Sequence, residues 1–376
     1  MPFNAAEVAR QIQASKDGAG YDVQARIDAL QLARRIYEAV GENEWELRVR
    51  DAATRRWVAA PLSPLHTFPQ YDPHPPVYRV VATDSSFIAP DKHRGALCYL
   101  INVGRVMVQY GYAPLAEIDN VPSHYPELPS DSEELYSARV LGARCALHEL
   151  KELFEWSRHY KADVALLDGS LMQLVYMLSK EAPVMALMSE YLEVLRAFEE
   201  IGVPVVGYVS RPDSGMVMRA IRLLGCEQQV PHEERPAEPC TCSPLWNIND
   251  SDLFAMLLDE GELSPLFEAT FTYLVTANSQ IAKELSFAYL GTEYEIARLE
   301  FPLWVARQGL LDKTIEIILH QCVLGKGYPN ALTLAHQFAV LHNADRESYY
   351  FLLERAGLLH NPTEKAVGKR MIGQAI

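Results

Sequence analysis

Residues 162–171 read ADVALLDGSL. The apolar run Val164 to Leu167 ends in Asp168, Gly169 and Ser170, the pattern of a buried strand whose last side chain is an acid. Residues 77–86, VYRVVATDSS, have the same grammar and bring Asp84 to the end of a second strand. Ligands of open sheets collect at strand ends. Two acids in an apolar setting repel each other unless one is protonated or a cation lies between them. A divalent metal site is the economical explanation, although either acid alone could simply cap the turn or helix that follows it.

Between and beyond these strands the pattern is regular. Residues 97–111, LCYLINVGRVMVQYG, hold two apolar runs that read as successive strand segments around Gly104, and a further strand is expected near Tyr112 to Ile118, before a Pro-containing loop at 122–130. Asp131 or Ser132 caps a long helix over about 133–160. Within it Glu149 has Cys145, Ala146, Leu153 and Trp156 at helical spacing, so this acid lies on an apolar stripe. Glu152, with His148, Glu149, Glu155 and Trp156 around it, is half-polar and the weaker candidate for a third acid. An inward carboxylate needs a cation of some kind, a metal or an arginine. After strand 163–168 come a helix through Val175, another over about 184–201, and a strand from Val203 to Val209. Acids on the first strand, the long helix and the fourth strand, in this order, give the layout of a ribonuclease H-like α/β core: a mixed five-stranded sheet flanked by helices.

Around that core the chain divides into three. Residues 1–76 are an N-terminal extension: helix over 5–40, a hairpin or arm over 44–60, and a linker over 61–76 that carries six prolines. Residues 77–345 are the core, with 226–250 a Pro- and acid-rich excursion and a strand near Ala297 to Trp304. Residues 346–376 are a C-terminal helix and basic tail. In GYPNALTLAHQFAVL (327–341), Asn330 is expected as a helix cap, with Leu332, His336, Ala339 and Val340 on one face, which points the histidine inward.

Composition sets limits. Of the 376 residues 49% are hydrophobic and 22% charged, as in an ordinary soluble globular protein. No run of 18 apolar residues is present, and MPFNAAEVAR lacks a basic stretch followed by an apolar one, so the expected place is the cytoplasm, off the membrane. The six cysteines are scattered, which suits reduced thiols. Cys226, His232, Cys240 and Cys242 could in principle make a zinc knuckle, but C-x5-H-x7-C-x-C matches no standard finger, so a Pro-rich surface loop is the expected reading. The net charge of −15 argues against spread-out electrostatic binding of DNA. Contact with nucleic acid must then be local, metal-assisted, or helped by a partner that grips.

Three inward acids from separate elements suit two-metal phosphodiester hydrolysis, in which two ions about 4 Å apart activate water and stabilise the leaving oxygen. Carboxylates favour Mg2+ or Mn2+, and an imidazole tilts the choice to Mn2+. His336 could ligate or move a proton, or be a satisfied core histidine. Tyr328, in a rigid turn between Gly327 and Pro329, could hold a phosphate or a water. Arg211, after the fifth strand, could offset phosphate charge.

The pieces TDSS (83–86), LLDGSL (166–171), YVSRPDS (208–214), ELSPLF (262–267), RLEFPLWVA (298–306) and GYPNALTLAHQFAVL (327–341), in this order, resemble the NurA nuclease family from about Val77 to His342. The resemblance implies a Mn2+-dependent DNA exonuclease and endonuclease on a ribonuclease H-like core. It further implies a homodimer that works with a HerA-type hexameric ATPase in end resection at double-strand breaks. By position, Asp84 and Asp168 fall on the family's first and second catalytic aspartates, Tyr328 and His336 on its C-terminal pair, and Glu149 on the middle glutamate. Leu263 stands where an arginine is expected, and 226–242 has no counterpart. A motor that threads DNA into the nuclease would explain a chain with so little positive charge. Two rivals are an actin-like phosphotransferase, for which a second Gly-rich phosphate loop is missing, and a non-catalytic DNA-end adaptor or motor-docking subunit.

Overall fold

The β-branched and aromatic runs pair into one mixed sheet of nine strands among the described residues of this computed structural model, which are 4–18, 23–51, 57–75, 77–91, 93–126, 138–176, 182–226, 240–270 and 284–359. β2 (Tyr78–Ile88), β3 (Tyr99–Tyr110) and β4 (Leu115–Tyr125) form an antiparallel meander. β5 (Val164–Asp168) and β6 (Val205–Val209) continue parallel to β2, giving the order β6-β5-β2-β3-β4. This is the expected ribonuclease H-like unit. β5 and β6 are almost wholly apolar because helices cover both faces of the sheet.

The sheet does not stop at five. Beyond β6 it runs antiparallel through β9 (Ile296–Pro302), β8 (Leu285–Gly291) and β7 (Phe267–Thr270) to β1 (Val58–Pro61). Segment 44–60 is therefore no hairpin or free arm. Helix α3 (Glu42–Asp51) follows α1 (Ala5–Gly18) and α2 (Val23–Ala39), and β1 then locks onto β7. The Pro-rich stretch after it is packed as well: Tyr37 donates its hydroxyl to the Leu65 carbonyl, and Leu65 is fully buried.

The remaining helices are α4 (Ala138–Tyr160), α5 (Gln173–Tyr176), α6 (Ala182–Ile201), α7 (Met216–Gly225), α8 (Asp250–Phe254), α9 (Leu303–Arg307), α10 (Leu311–Leu324), α11 (Asn330–Ala339) and α12 (Asn343–Arg355). Strand alternation sorts them into two layers. Val81, Ala165 and Val205 face one core with Leu147, Leu150 and Phe198 of α4 and α6. Val80, Ala82, Leu166 and Val206 face the other, with Ile315, Ile318, Ala331 and Leu332 of α10 and α11. A strand's period of two thus fixes in advance which layer each later residue meets.

Three local expectations change. β3 is one continuous strand, and Gly104 is there for the approach of α11, since a Cβ would lie 2.3 Å from the Ala335 carbonyl oxygen. β4 runs on to Tyr125, into the stretch expected as loop. Residues 240–250 belong to the core rather than to a surface excursion, with Cys242, Leu245 and Ile248 buried among residues of α2 and α7. His232, the Asp131 or Ser132 cap and the basic tail lie outside the described residues. Among the described residues no helix is long and apolar enough to cross a membrane.

Candidate metal centre

The pairing of β2 with β5 sets the two acids side by side. Thr83 is opposite Leu167 in this parallel pair, so the next residue of each strand, Asp84 and Asp168, ends it on the same face. That face is the one covered by α11. His336 Nδ1 lies 2.7 Å from Asp84 Oδ2, and ligand atoms of Asp84, Asp168 and His336 all fall within 4.8 Å of one another. The histidine is not turned into the core: its side chain is 60% exposed, at the rim, while Asp84 below it is 15% exposed. Asn330 is not the cap of α11 either. Pro329 holds that position, and Asn330 Nδ2 reaches toward the Tyr110 hydroxyl at 3.5 Å.

Each carboxylate is set by its surroundings. Asp84 Oδ1 accepts the Ser85 backbone N–H at 2.7 Å. Burial pushes the Asp168 carboxyl above its usual range, and the charge of Asp84 adds to this, while Tyr328 and His336 pull the other way. Tyr328 stands beside Asp168 without a well-aligned hydrogen bond, edge-on to Tyr208, and its own hydroxyl is pushed far up by burial.

Glu149 comes from the opposite layer. Its Oε2 accepts the Ser85 hydroxyl at 2.9 Å, and its backbone carbonyl accepts the Thr83 hydroxyl at 3.2 Å. Burial, and then the charges of Asp84 and Asp168, raise its carboxyl well above the ordinary value. Its Oε1 is buried and meets no hydrogen-bond partner among the described residues. Leaving such an acceptor empty is costly, which is an observation in favour of a cation at this place. Glu149 is nonetheless outside the tight group of three, one residue away through Ser85. Glu152 is otherwise engaged, in an ion pair with Arg105 at 2.7 Å. Arg211 follows β6 at the same end of the sheet, in a left-handed conformation (φ 44°) with its backbone N–H on Glu295. Its exposed side chain is not among the three.

The NurA domain model matches residues 78–341, from the first residue of β2 to just past α11. The chain belongs to the NurA family. No curated protein matches it. Among solved structures it is distantly similar to endonuclease V of Bacillus subtilis (11% identity over 75% of this chain and 85% of that one, TM-score 0.34). The catalytic domain of human endonuclease V is comparable (13%, 84% and 96%, TM-score 0.32). RuvC of Thermus thermophilus is a third (14%, 44% and 88%, TM-score 0.18). The fold assignment rests on the strand order itself. The chain is thus a nuclease by family on a ribonuclease H-like fold, with acid and imidazole side chains of the kind that hold a divalent cation.

The NurA site also has supports that the sequence reading passed over. Glu300 of β9, 2% exposed, accepts the Ser170 hydroxyl at 2.6 Å and the Met172 backbone N–H at 3.0 Å. It is paired with the buried Arg298, whose guanidinium lies 3.7 Å over the Phe287 ring. Together they pin the turn that leaves Asp168, where Gly169 takes φ 100°. A signal existed: in ARLEFPLW two opposite charges sit two residues apart in an apolar strand, hence on one buried face. Ser85, between Asp84 and Glu149, was quoted in TDSS without a role.

Proposed function

We propose that this chain is a Mn2+- or Mg2+-dependent DNA nuclease that hydrolyses phosphodiester bonds with two ions, using Asp84, Glu149, Asp168 and His336 as ligands. The observation that carries this reading is the convergence of Asp84, Asp168 and His336 beside the orphaned Glu149 oxygen. When bound, divalent ions supply Lewis acidity at phosphorus and ionise water near neutral pH. The chain's own groups do the rest. His336, whose Nδ1 lies 2.7 Å from Asp84 Oδ2, has Nε2 left to ligate an ion or, in place of that, to pass a proton near the leaving oxygen. Ser85 keeps Glu149 turned toward the aspartates, and Tyr328 offers a hydroxyl beside Asp168. Arg211 contributes positive charge for the phosphate backbone.

Membership of the family supports a biological setting for this activity. The catalytic unit is 77–345, the extensions 1–76 and 346–376 flank it, and the protein works in the cytoplasm as a homodimer. It acts as exonuclease and endonuclease with a HerA-type hexameric ATPase in resection of DNA ends at double-strand breaks. The net charge of −15 supports a division of labour in which the motor, not the nuclease, grips DNA.

The test is cleavage of an end-labelled linear duplex in Mn2+. Wild type cuts, EDTA stops it, and Asp84→Ala and Asp168→Ala each lower the rate by about 10³-fold or more. Undiminished cleavage by both variants removes the metal site. A wild type that binds the ATPase and cuts in neither Mn2+ nor Mg2+ is an adaptor instead.

A further inference from the structure

The cysteines whose spacing fits no standard finger converge in space. Ligand sulfurs of Cys226, Cys240 and Cys242 lie within 4.8 Å of one another. Cys226 is the residue that ends α7, and Cys242 the one that precedes a 3-10 turn over Ser243–Asn247. Two of the three are buried, at 2% and 0% exposure, and Cys240 is half-exposed. No disulfide joins them.

Burial is outweighed by hydrogen bonds at Cys240, which lower its thiol, whereas burial and the neighbouring sulfurs push the Cys242 thiol up. The Cys240 sulfur accepts the Cys242 backbone N–H and, at 3.5 Å, the Ser243 hydroxyl. Ser243 is itself fixed, because its Oγ accepts the Cys240 backbone N–H at 2.8 Å. The Thr241 hydroxyl donates to the Gly225 carbonyl at 2.9 Å and so fastens the Cys-x-Cys pair to the end of α7. The Cys240 and Cys242 sulfurs are 2.7 Å apart, longer than the ~2.05 Å of a disulfide, and an ion between them would spread the pair by about 1 Å. Three sulfurs on one tetrahedral zinc at ~2.3 Å would stand about 3.8 Å apart, inside the observed cluster size.

We propose that Cys226, Cys240 and Cys242 hold one structural zinc ion that ties the C-terminal end of α7 to the Ser243–Asn247 turn. Binding converts three thiols to thiolates, releases their protons to solvent and changes no oxidation state. Soft sulfur donors select zinc over the Mg2+ or Mn2+ that suit a carboxylate site. The ion has a structural task here. α7 carries Ala220, Ile221 and Leu223 into the main core, and its far end is capped by Asp250. Closing its near end fixes a helix that packs on α2 and on β1, and does so independently of the nuclease reading.

The experiment is metal analysis of full-length protein purified under reducing conditions and dialysed without chelator, run beside Asp168→Asn, Cys240→Ser and Cys242→Ser. Wild type and Asp168→Asn retain about one zinc per chain, and the two cysteine variants lose it. Cys240→Ser is the decisive variant, because its half-exposed side chain can be replaced without opening the core. Cobalt added to zinc-stripped wild type gives an intense sulfur-to-metal charge-transfer band, and the thermal midpoint lost on stripping returns with Zn2+ but not with Mg2+. Three titratable thiols with no retained zinc overturn the proposal, as does a disulfide between any two of them or an unchanged zinc content in Cys240→Ser.

Discussion

A buried carboxylate oxygen without a hydrogen-bond partner is expensive to keep, and Glu149 Oε1 has none among the described residues. Glu149→Gln removes the charge while leaving an oxygen for Ser85, so the protein folds, and the Mn2+ concentration for half-maximal cleavage rises roughly 10- to 100-fold. His336→Ala separates chemistry from stability. Its side chain is exposed, so the thermal midpoint stays, while the cleavage rate drops about 10²- to 10⁴-fold. A third residue, away from the site, sets a pH response. Burial lowers the His320 pKa below its ordinary value of 6.5, helped by His74, and the ring sits 2.6 Å from the Tyr78 hydroxyl and edge-on to Tyr78 and Tyr110. A depressed imidazole binds its proton more readily in the unfolded chain, so its contribution to stability is fully present above 6.5 and is lost as pH falls below that value, through the lower pKa of the folded state. Thermal unfolding of wild type and His320→Gln between neutral and mildly acid pH checks this, and the variant has the flatter dependence. Asp84 and Asp168 were legible in the sequence because each ends an apolar run. His336 was legible as a candidate and not as a rim residue, since helical spacing puts it on the inner stripe while its side chain stays 60% exposed beside Asp84.

Among the elements, β3 and α11 depend on each other through one missing side chain. Gly104→Ala drives a methyl into the Ala335 carbonyl and the Ala339 backbone nitrogen, at 2.3 and 2.6 Å. The helix must lift, at about 1–3 kcal/mol by denaturant unfolding. Because His336 rides on α11, cleavage falls more than stability does. α7 makes a similar point from its first turn. Asp250, fully buried, accepts the backbone N–H groups of Val217 and Met218 and the Tyr289 hydroxyl. Asp250→Ala strands these donors and costs about 2–3 kcal/mol. The strands of the core unit and the long helix were readable from periodicity. Helix α3 was not, because EWELRVRD alternates loosely enough to pass for a hairpin and only packing of Trp45 and Val49 selects the helix.

For the molecule as a whole, the nine strands make the N-terminal segment part of the sheet, since Val58 to Pro61 pair with Thr270 to Phe267. The sequence hid this because a four-residue strand has too few positions to show alternation, and its partner lies far along the chain. Removal of residues 1–61 is expected to leave β7 bare and the protein aggregated in sedimentation, whereas the acid cluster itself is untouched. The overall charge of −15 gives a second expectation: DNA binding by the isolated protein is weak, and its salt dependence is shallow because few phosphates are neutralised. The same β1–β7 pairing bears on synthesis. As the chain leaves the ribosome, β1 emerges long before its strand partner β7, so its edge waits unpaired through some two hundred further additions of amino acid. Closing so long a loop is slow compared with local folding. A nascent protein halted before residue 267 therefore presents the unpaired edge of β1 to chaperones.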